Sequence, residues 1–243
     1  MYTILKNSVK KLLPKKLLFR FEPFFRKLLR FHYKGNNYQC PVCETKLNTF
    51  IELEKGDLLC PACGSRSRSR RLLQLLKENN LIQGKVLDFS PPRGFYELMN
   101  NALKRSYYPT DFENQFLAHY HYDITAIPHQ DAYFDLILCY HILEHIPEDT
   151  KAMAELYRVL KPNGVCFIQT PFKEGDIYED ATITSAEARL KAFGQEDHVR
   201  IYSVEGLKQR LEHAGFKVKT TIYEAAKNDY NGLKSETIIT AYK

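Results

Sequence analysis

Two Cys-x-x-Cys pairs, Cys40-Pro-Val-Cys43 and Cys60-Pro-Ala-Cys63, stand sixteen residues apart, and this spacing constrains the chain more than any other feature. Two residues between cysteines let each pair grip a tetrahedral ion from one tight turn. Cys40, Cys43, Cys60 and Cys63 are therefore expected to form a closed structural zinc site. A closed four-sulfur shell leaves no position for water, so zinc here would organise a small module over residues 35 to 65 and perform no hydrolysis. The pattern also points to a reducing compartment, with the cytoplasm as the expected location. Cys139 and Cys166 fall inside apolar strand patterns and read as small buried thiols.

Charge is placed as unevenly as cysteine. The formal net charge is +6, yet residues 1 to 34 hold ten lysines and arginines and a single acid, Glu22. That segment carries +9 and the rest of the chain −3. Five phenylalanines (Phe19, Phe21, Phe24, Phe25 and Phe31) and six leucines lie between the cations, with Pro14 and Pro23 read as breaks. Short helices of this kind can lie in an anionic headgroup layer at the inner membrane face. The alternative is that the aromatic face packs on the protein's own body or on a dimer mate. No apolar run approaches the roughly 20 residues a spanning helix needs.

From residue 66 onward the hydrophobic pattern alternates short strands with helices, as in a parallel sheet with crossovers. Leu72, Leu73, Leu75 and Leu76 mark a helix over 66–78. Strands are expected at 86–89, 106–110, 120–123, 134–140, 165–169, 216–222 and 236–242, and helices at 94–104, 150–160 and 203–214. The stretch 171–200 reads as irregular. The strand FDLILCY is apolar enough to be buried on both faces. The predicted class is α/β, a doubly wound and mostly parallel seven-stranded Rossmann-like sheet. The predicted divisions are 1–34, 35–65 and 66–243.

FDLILCYHILEHIPEDTKAMAELYRVLKPNGVCFIQTPF resembles the middle of class I S-adenosylmethionine-dependent methyltransferases of the type 11 kind. In these an FDxI strand runs into H-x-L-E-H, and R-V-L-K-P-x-G precedes the next strand. Four further segments resemble a narrower bacterial group with a four-cysteine zinc knuckle: the double CxxC with GSRSRSRR, VLDFSPPRG, IYEDATITSAEAR and FGQEDHVRIY. The resemblance implies S-adenosylmethionine as cofactor and assigns residues to it. Against the family's D-x-G-x-G-x-G loop, Asp88 and Gly94 match, while Ser90 and Pro92 occupy the first two glycine places. Asp111 matches the acid that accepts the ribose hydroxyls, and Asp123 with Ile124 the acid and aliphatic pair beside the adenine. Tyr140 and His141, after Cys139, match the lining of the methionine arm.

His141 and His145 would share a helix face, but the HxLEH spacing offers no third ligand, so pocket lining or capping of the next turn is the expected role. The 171–200 insertion is where such folds build acceptor sites. There His198, with Asp197 or Glu196 nearby, is the candidate base, and Arg200 the candidate holder of an anionic acceptor. The acceptor would be a small molecule or a glycan- or lipid-linked precursor. Alternatives are an RNA or protein methyltransferase gripping phosphates with Arg66, Arg68, Arg70 and Arg71, and a non-catalytic scaffold with a degenerate cofactor loop.

Overall fold

The computed structural model describes residues 15–53 and 56–243, with side chains from residue 21 on; the expectation for residues 1 to 14 lies outside the described residues. The chain divides into two compact units, each described by itself. The first takes the residues up to Ile82 together with Pro92–Ala102 and Glu224–Glu236, and the second takes Gln83–Pro91, Leu103–Tyr223 and Thr237–Lys243. The division expected at residue 65 does not coincide with either unit's edge.

In the first unit, helix α1 (Lys15–His32) continues through Pro23, where the sequence predicts a break. Proline there removes one backbone hydrogen bond, a loss the neighbouring turns bridge. Glu22 and Arg26 of α1 turn inward: Glu22 accepts from Arg26 at 2.8 Å and from Arg93 at 3.2 Å, and Arg26 donates to the carbonyls of Cys60 and Pro61. Phe21, Phe24, Phe25, Leu28 and Phe31, spaced along one helical face, are left 40% to 74% exposed. The aromatic stripe therefore does not pack on the described body.

Two small antiparallel pairs follow, β1 (Lys34–Gln39) with β2 (Lys46–Leu47) and β3 (Ile51–Glu52) with β4 (Leu58–Leu59). Each delivers its cysteines from a strand end. Helix α2 (Ser67–Glu78) buries Leu72, Leu73, Leu75 and Leu76 as the periodicity requires, but it buries Arg70 and Arg71 too. Helix α3 (Arg93–Leu103) begins where a helix was expected.

The second unit is built on a six-stranded sheet of β5 (Val86–Phe89), β6 (Tyr107–Thr110), β7 (Phe134–Tyr140), β8 (Leu160–Gln169), β12 (Lys217–Tyr223) and β13 (Glu236–Tyr242), in the order β12-β13-β8-β7-β5-β6. β5, β6, β7 and β8 pair in parallel, and β13 is antiparallel to β8. The doubly wound, mostly parallel sheet is as expected. The strand expected at 120–123 is reduced to one bridge between Thr110 and Tyr120. Pro109 in β6 has no N–H to offer a further neighbour, and the Tyr122 N–H is taken by the Thr110 side chain. Helix α4 (Asp149–Val159) packs its Ala152, Met153, Leu156 and Val159 into the core beside β7, whose Phe134, Ile137 and Cys139 are fully buried.

The 171–200 stretch is more regular than its composition suggested. It holds β9 (Phe172–Lys173), β10 (Tyr178–Glu179) and helix α5 (Ala186–Phe193), and with β11 (Arg200–Ser203) it forms a three-stranded sheet in the order β10-β11-β9. The end signals of α5 are in the sequence: Ser185 caps it through the Ala188 N–H, and Gly194 closes it at φ +83°. Helix α6 (Val204–His213) starts from a Ser203 cap and stops before Gly215, as expected.

Candidate cofactor, acceptor and metal sites

The four cysteines of the first unit converge. Cys40 Sγ lies 3.7 Å from Cys63 Sγ, Cys43 Sγ lies 3.8 Å from Cys60 Sγ, and all four sulfurs lie within 4.8 Å of one another. A disulfide needs about 2.05 Å. Four sulfurs at about 2.3 Å from a tetrahedral zinc stand about 3.8 Å apart, so the arrangement fits the ion. The two turns are alike: Cys40 and Cys60 accept from Glu44 N and Gly64 N, and both of those residues adopt positive φ. Ser65 Oγ stands 3.2 Å from the sulfurs of Cys40 and Cys63 and Thr45 Oγ1 3.3 Å from Cys43, hydroxyls placed to support thiolates.

Beneath this cluster Arg70 is fully buried and spends its donors on the carbonyls of Ser65, Leu58 and Gly232, with its guanidinium 4.3 Å from the Phe50 ring centroid. Burial lowers its pKa, while the charges of Cys40 and Cys60 oppose that shift. Arg71 donates to Gln74 and to the Glu224 carbonyl. Arg70 and Arg71, expected among the phosphate grips, are instead internal ties of this unit. Gly94 belongs here as well: a Cβ on it would stand 2.9 Å from the Cys63 carbonyl oxygen and 3.0 Å from Cys63 Cβ.

In the second unit, the ends of parallel strands carry the cofactor candidates. Asp88, in β5, is buried and accepts from the Tyr107 hydroxyl at 2.7 Å; burial pushes its carboxyl up to about 7, against the pull of that hydrogen bond. Ser90 stands at φ +50°, so it keeps the left-handed backbone for which glycine is the usual residue. Its hydroxyl donates to Asp111 Oδ1 at 2.7 Å, while Asp111 Oδ2 accepts from the backbone N–H groups of Gln115 and Phe116. Asp123 is exposed and caps a turn through Thr125, and Ile124 is buried in the core. Tyr140 ends β7 half-buried. His141 follows at φ +56°, its N–H donating to the Gln169 carbonyl.

Two segments more than fifty residues apart meet at the end of β7. His141 Nδ1 lies 3.1 Å from Glu144 Oε1, and His145 Nδ1 lies 3.3 Å from Asp197 Oδ2. The His198 ring meets the His145 ring edge-on at 4.7 Å, and Val199 N–H donates to the Glu144 carbonyl. Glu144 is 1% and His198 3% exposed, and neither Glu144 Oε2 nor His198 Nε2 has a hydrogen-bond partner among the described residues. Burial opposes ionisation of Glu144, yet the His141 hydrogen bond and charge outweigh it and its pKa falls. Burial lowers the His198 pKa, favouring neutral imidazole. Gln169 Oε1 and Thr170 Oγ1, at the end of β8, are likewise buried without partners.

Arg200 lies beside this cluster but is committed elsewhere. It donates to Glu179 at 2.8 Å and to the carbonyls of Leu143, Ile146 and Pro147, so its guanidinium ties β11 to the turn after β7. It is 5% exposed, which sets it apart from a residue reaching for an anionic acceptor. Glu144 is the member that sequence reasoning passed over. The signal was its place in HILEH; what the sequence withheld was the distant partner His198.

The family model described as a methyltransferase domain matches residues 64–221. The chain belongs to this methyltransferase family. A probable S-adenosylmethionine-dependent methyltransferase of Mycolicibacterium smegmatis is 30% identical over 105 residues, 42% of this chain and 36% of the relative. A tRNA U34 carboxymethyltransferase of Nautilia profundicola is 30% identical over 129 residues, 52% of this chain and 38% of the relative. The chain thus spans well under half the length of either. Among solved structures, phosphoethanolamine N-methyltransferase 2 of Haemonchus contortus shares the fold with a TM-score of 0.50 at 15% identity, covering 72% of this chain and 52% of that one.

The strand-end atoms of this class I methyltransferase suit its family's cofactor. The buried Asp111 carboxylate keeps acceptor capacity on Oδ1 beyond the Ser90 hydroxyl, as a ribose hydroxyl requires. All the candidates except Gly94 lie at or beyond the carboxyl ends of β5, β6 and β7, where such sheets bind ligands.

Proposed function

We propose that this methyltransferase transfers a methyl group from S-adenosylmethionine to an oxygen or nitrogen of a small molecule or of a glycan- or lipid-linked precursor. The observation that carries the reading is the meeting of Glu144 and His145 with Asp197 and His198 just past the end of β7. Bound at these strand ends, the cofactor would supply an electrophilic methyl on a sulfonium, the carbon–sulfur electron pair returning to sulfur on transfer. Asp111 would take the ribose hydroxyls, Asp88, Ser90, Tyr140 and His141 would line the methionine arm, and Asp123 with Ile124 would border the adenine. The acceptor's proton leaves through the histidine–carboxylate cluster, where Asp197 orients His145. Arg200 is a positioning residue, tying β11 to the turn after β7.

Calorimetry on zinc-loaded protein should give saturable binding of S-adenosylhomocysteine. Asp111→Ala should weaken it roughly 100-fold, since two charge-assisted hydrogen bonds are lost. Labelled methyl from the cofactor should then enter small-molecule or glycan fractions of a cell extract. No binding would overturn the reading in favour of a scaffold. Label in RNA would favour the alternative that the Nautilia relative supports, against which the burial of Arg70 and Arg71 counts.

The outward aromatic stripe of α1, flanked by the cationic Lys27 and Arg30, supports peripheral contact with an anionic lipid surface. Among the described residues no helix is long and apolar enough to cross a membrane. Vesicles with anionic lipid should sediment the protein, and Phe24→Glu with Phe31→Glu should abolish this without loss of fold, since both rings are already exposed. Wild-type protein left in the supernatant would refute lipid contact.

A further inference from the structure

Glu144, His145 and His198 each offer a ligand atom, and these atoms lie within 4.8 Å of one another. Glu144 Oε1 faces His141 and leaves Oε2 buried without a partner, and His145 is steadied through Nδ1 by Asp197. His198 contributes a buried Nε2, also without a partner. Two polar atoms in a packed interior with nothing to bond are costly, and such atoms in a native fold point to something that binds them. The committed atoms have the arrangement found around metal ligands, in which an imidazole is steadied through its other nitrogen by a carboxylate and a ligating carboxylate is itself hydrogen-bonded. The third ligand that the HxLEH spacing lacks is supplied by His198 from the far end of the insertion.

We infer that Glu144, His145 and His198 bind one divalent transition-metal ion, distinct from the zinc of the four cysteines, through one carboxylate oxygen and two imidazole nitrogens. Two imidazoles and a carboxylate would suit manganese, iron, cobalt or zinc better than magnesium or calcium, which prefer oxygen throughout. Three protein ligands leave coordination positions open to the acceptor. The acceptor class is thereby narrowed to molecules presenting a hydroxyl oxygen, whose acidity a divalent cation raises. The inference rests on the proposal that this cluster receives the acceptor, and it alters one step of it: with Glu144, His145 and His198 on the ion, the acidified hydroxyl gives its proton to solvent rather than to an imidazole.

The test uses full-length protein holding one zinc per chain, titrated with Mn2+ and followed by electron paramagnetic resonance of the free ion. One saturable site per chain is expected, with nitrogen hyperfine coupling from imidazole in the bound spectrum. Glu144→Gln and His145→Ala should abolish the site, and Asp197→Asn, which acts only through His145, should weaken it about 10- to 100-fold. The nitrogen coupling is read on wild-type protein, so the test survives a variant that fails to fold. Absence of saturable binding at millimolar Mn2+, or binding without nitrogen coupling, overturns the metal site. If S-adenosylhomocysteine still binds and methyl transfer persists after such a result, only this inference falls.

Discussion

Stripping zinc from the four-cysteine site should unfold the first unit as a whole, including Glu224–Glu236, a segment more than 160 residues from the nearest ligand. Structural zinc contributes about 10–16 kcal/mol in small zinc-binding peptides, comparable with or larger than the entire stability of a typical domain. The packing explains why the effect spreads. Arg70 is the hub: one guanidinium holds Ser65 beside the cluster, Leu58 in β4 and Gly232 in the distant segment, and the charges of Cys40, Cys60 and Cys63, with Asp57, offset its own. Without the ion the sulfurs no longer all carry charge, because hydrogen bonds to Cys40 push Cys60 and Cys63 up toward the neutral thiol. A buried guanidinium that loses its counter-charge costs about 3–5 kcal/mol. Gly232 tolerates no repair by side-chain growth, since a Cβ there would stand 2.4 Å from the Phe50 ring. Hydrogen exchange read by mass spectrometry checks this. A chelator, or Cys60→Ser, should raise exchange over 34–65, 67–78 and 224–236 together, with β7 as the internal reference. Protection unchanged at 224–236 would refute the hub.

Asp88 should make the second unit lose stability as pH rises. Its folded pKa, about 7, lies above the unfolded value near 3.8, so between those values the folded state holds the extra proton. Stability from this group is therefore greatest on the acid side and declines as pH climbs through that window, by about 4 kcal/mol in full. Asp88→Asn keeps an oxygen for the Tyr107 hydroxyl and removes the charge. Between pH 5 and pH 8 the wild type should lose about 3 kcal/mol more than the variant, read from urea midpoints. Glu236, also raised to about 7 by burial, leaves a slope of the same sign in the variant. Parallel pH profiles for the two proteins would show that Asp88 is ionised throughout.

The zinc ligands and the strand β7 were legible because each rests on local pattern: cysteine spacing in one case, an unbroken apolar run in the other. The mostly parallel sheet followed from strand and helix alternation, while its strand order was not read from the sequence. What stayed hidden was decided by distant partners. Arg70 and Arg71 read as surface cations because nothing nearby in sequence announces the carbonyls of Gly232 and Glu224. Arg200 read as an anion holder because its carbonyl partners sit in another segment. Ser90 and Pro92 read as damage to a glycine loop, yet Ser90 takes up the left-handed turn at the modest cost such a backbone carries for a residue with a side chain. The 120–123 strand failed for a local reason that was readable, the proline in β6.

Gly94 matched a cofactor-loop pattern, but the space its missing side chain leaves is filled by a zinc ligand's backbone. A methyl group added there would press on Cys63 first. Turnover lost in a Gly94→Ala protein would then report a leaking metal, and only counting the zinc retained per chain would tell that apart from a weakened grip on the methyl donor.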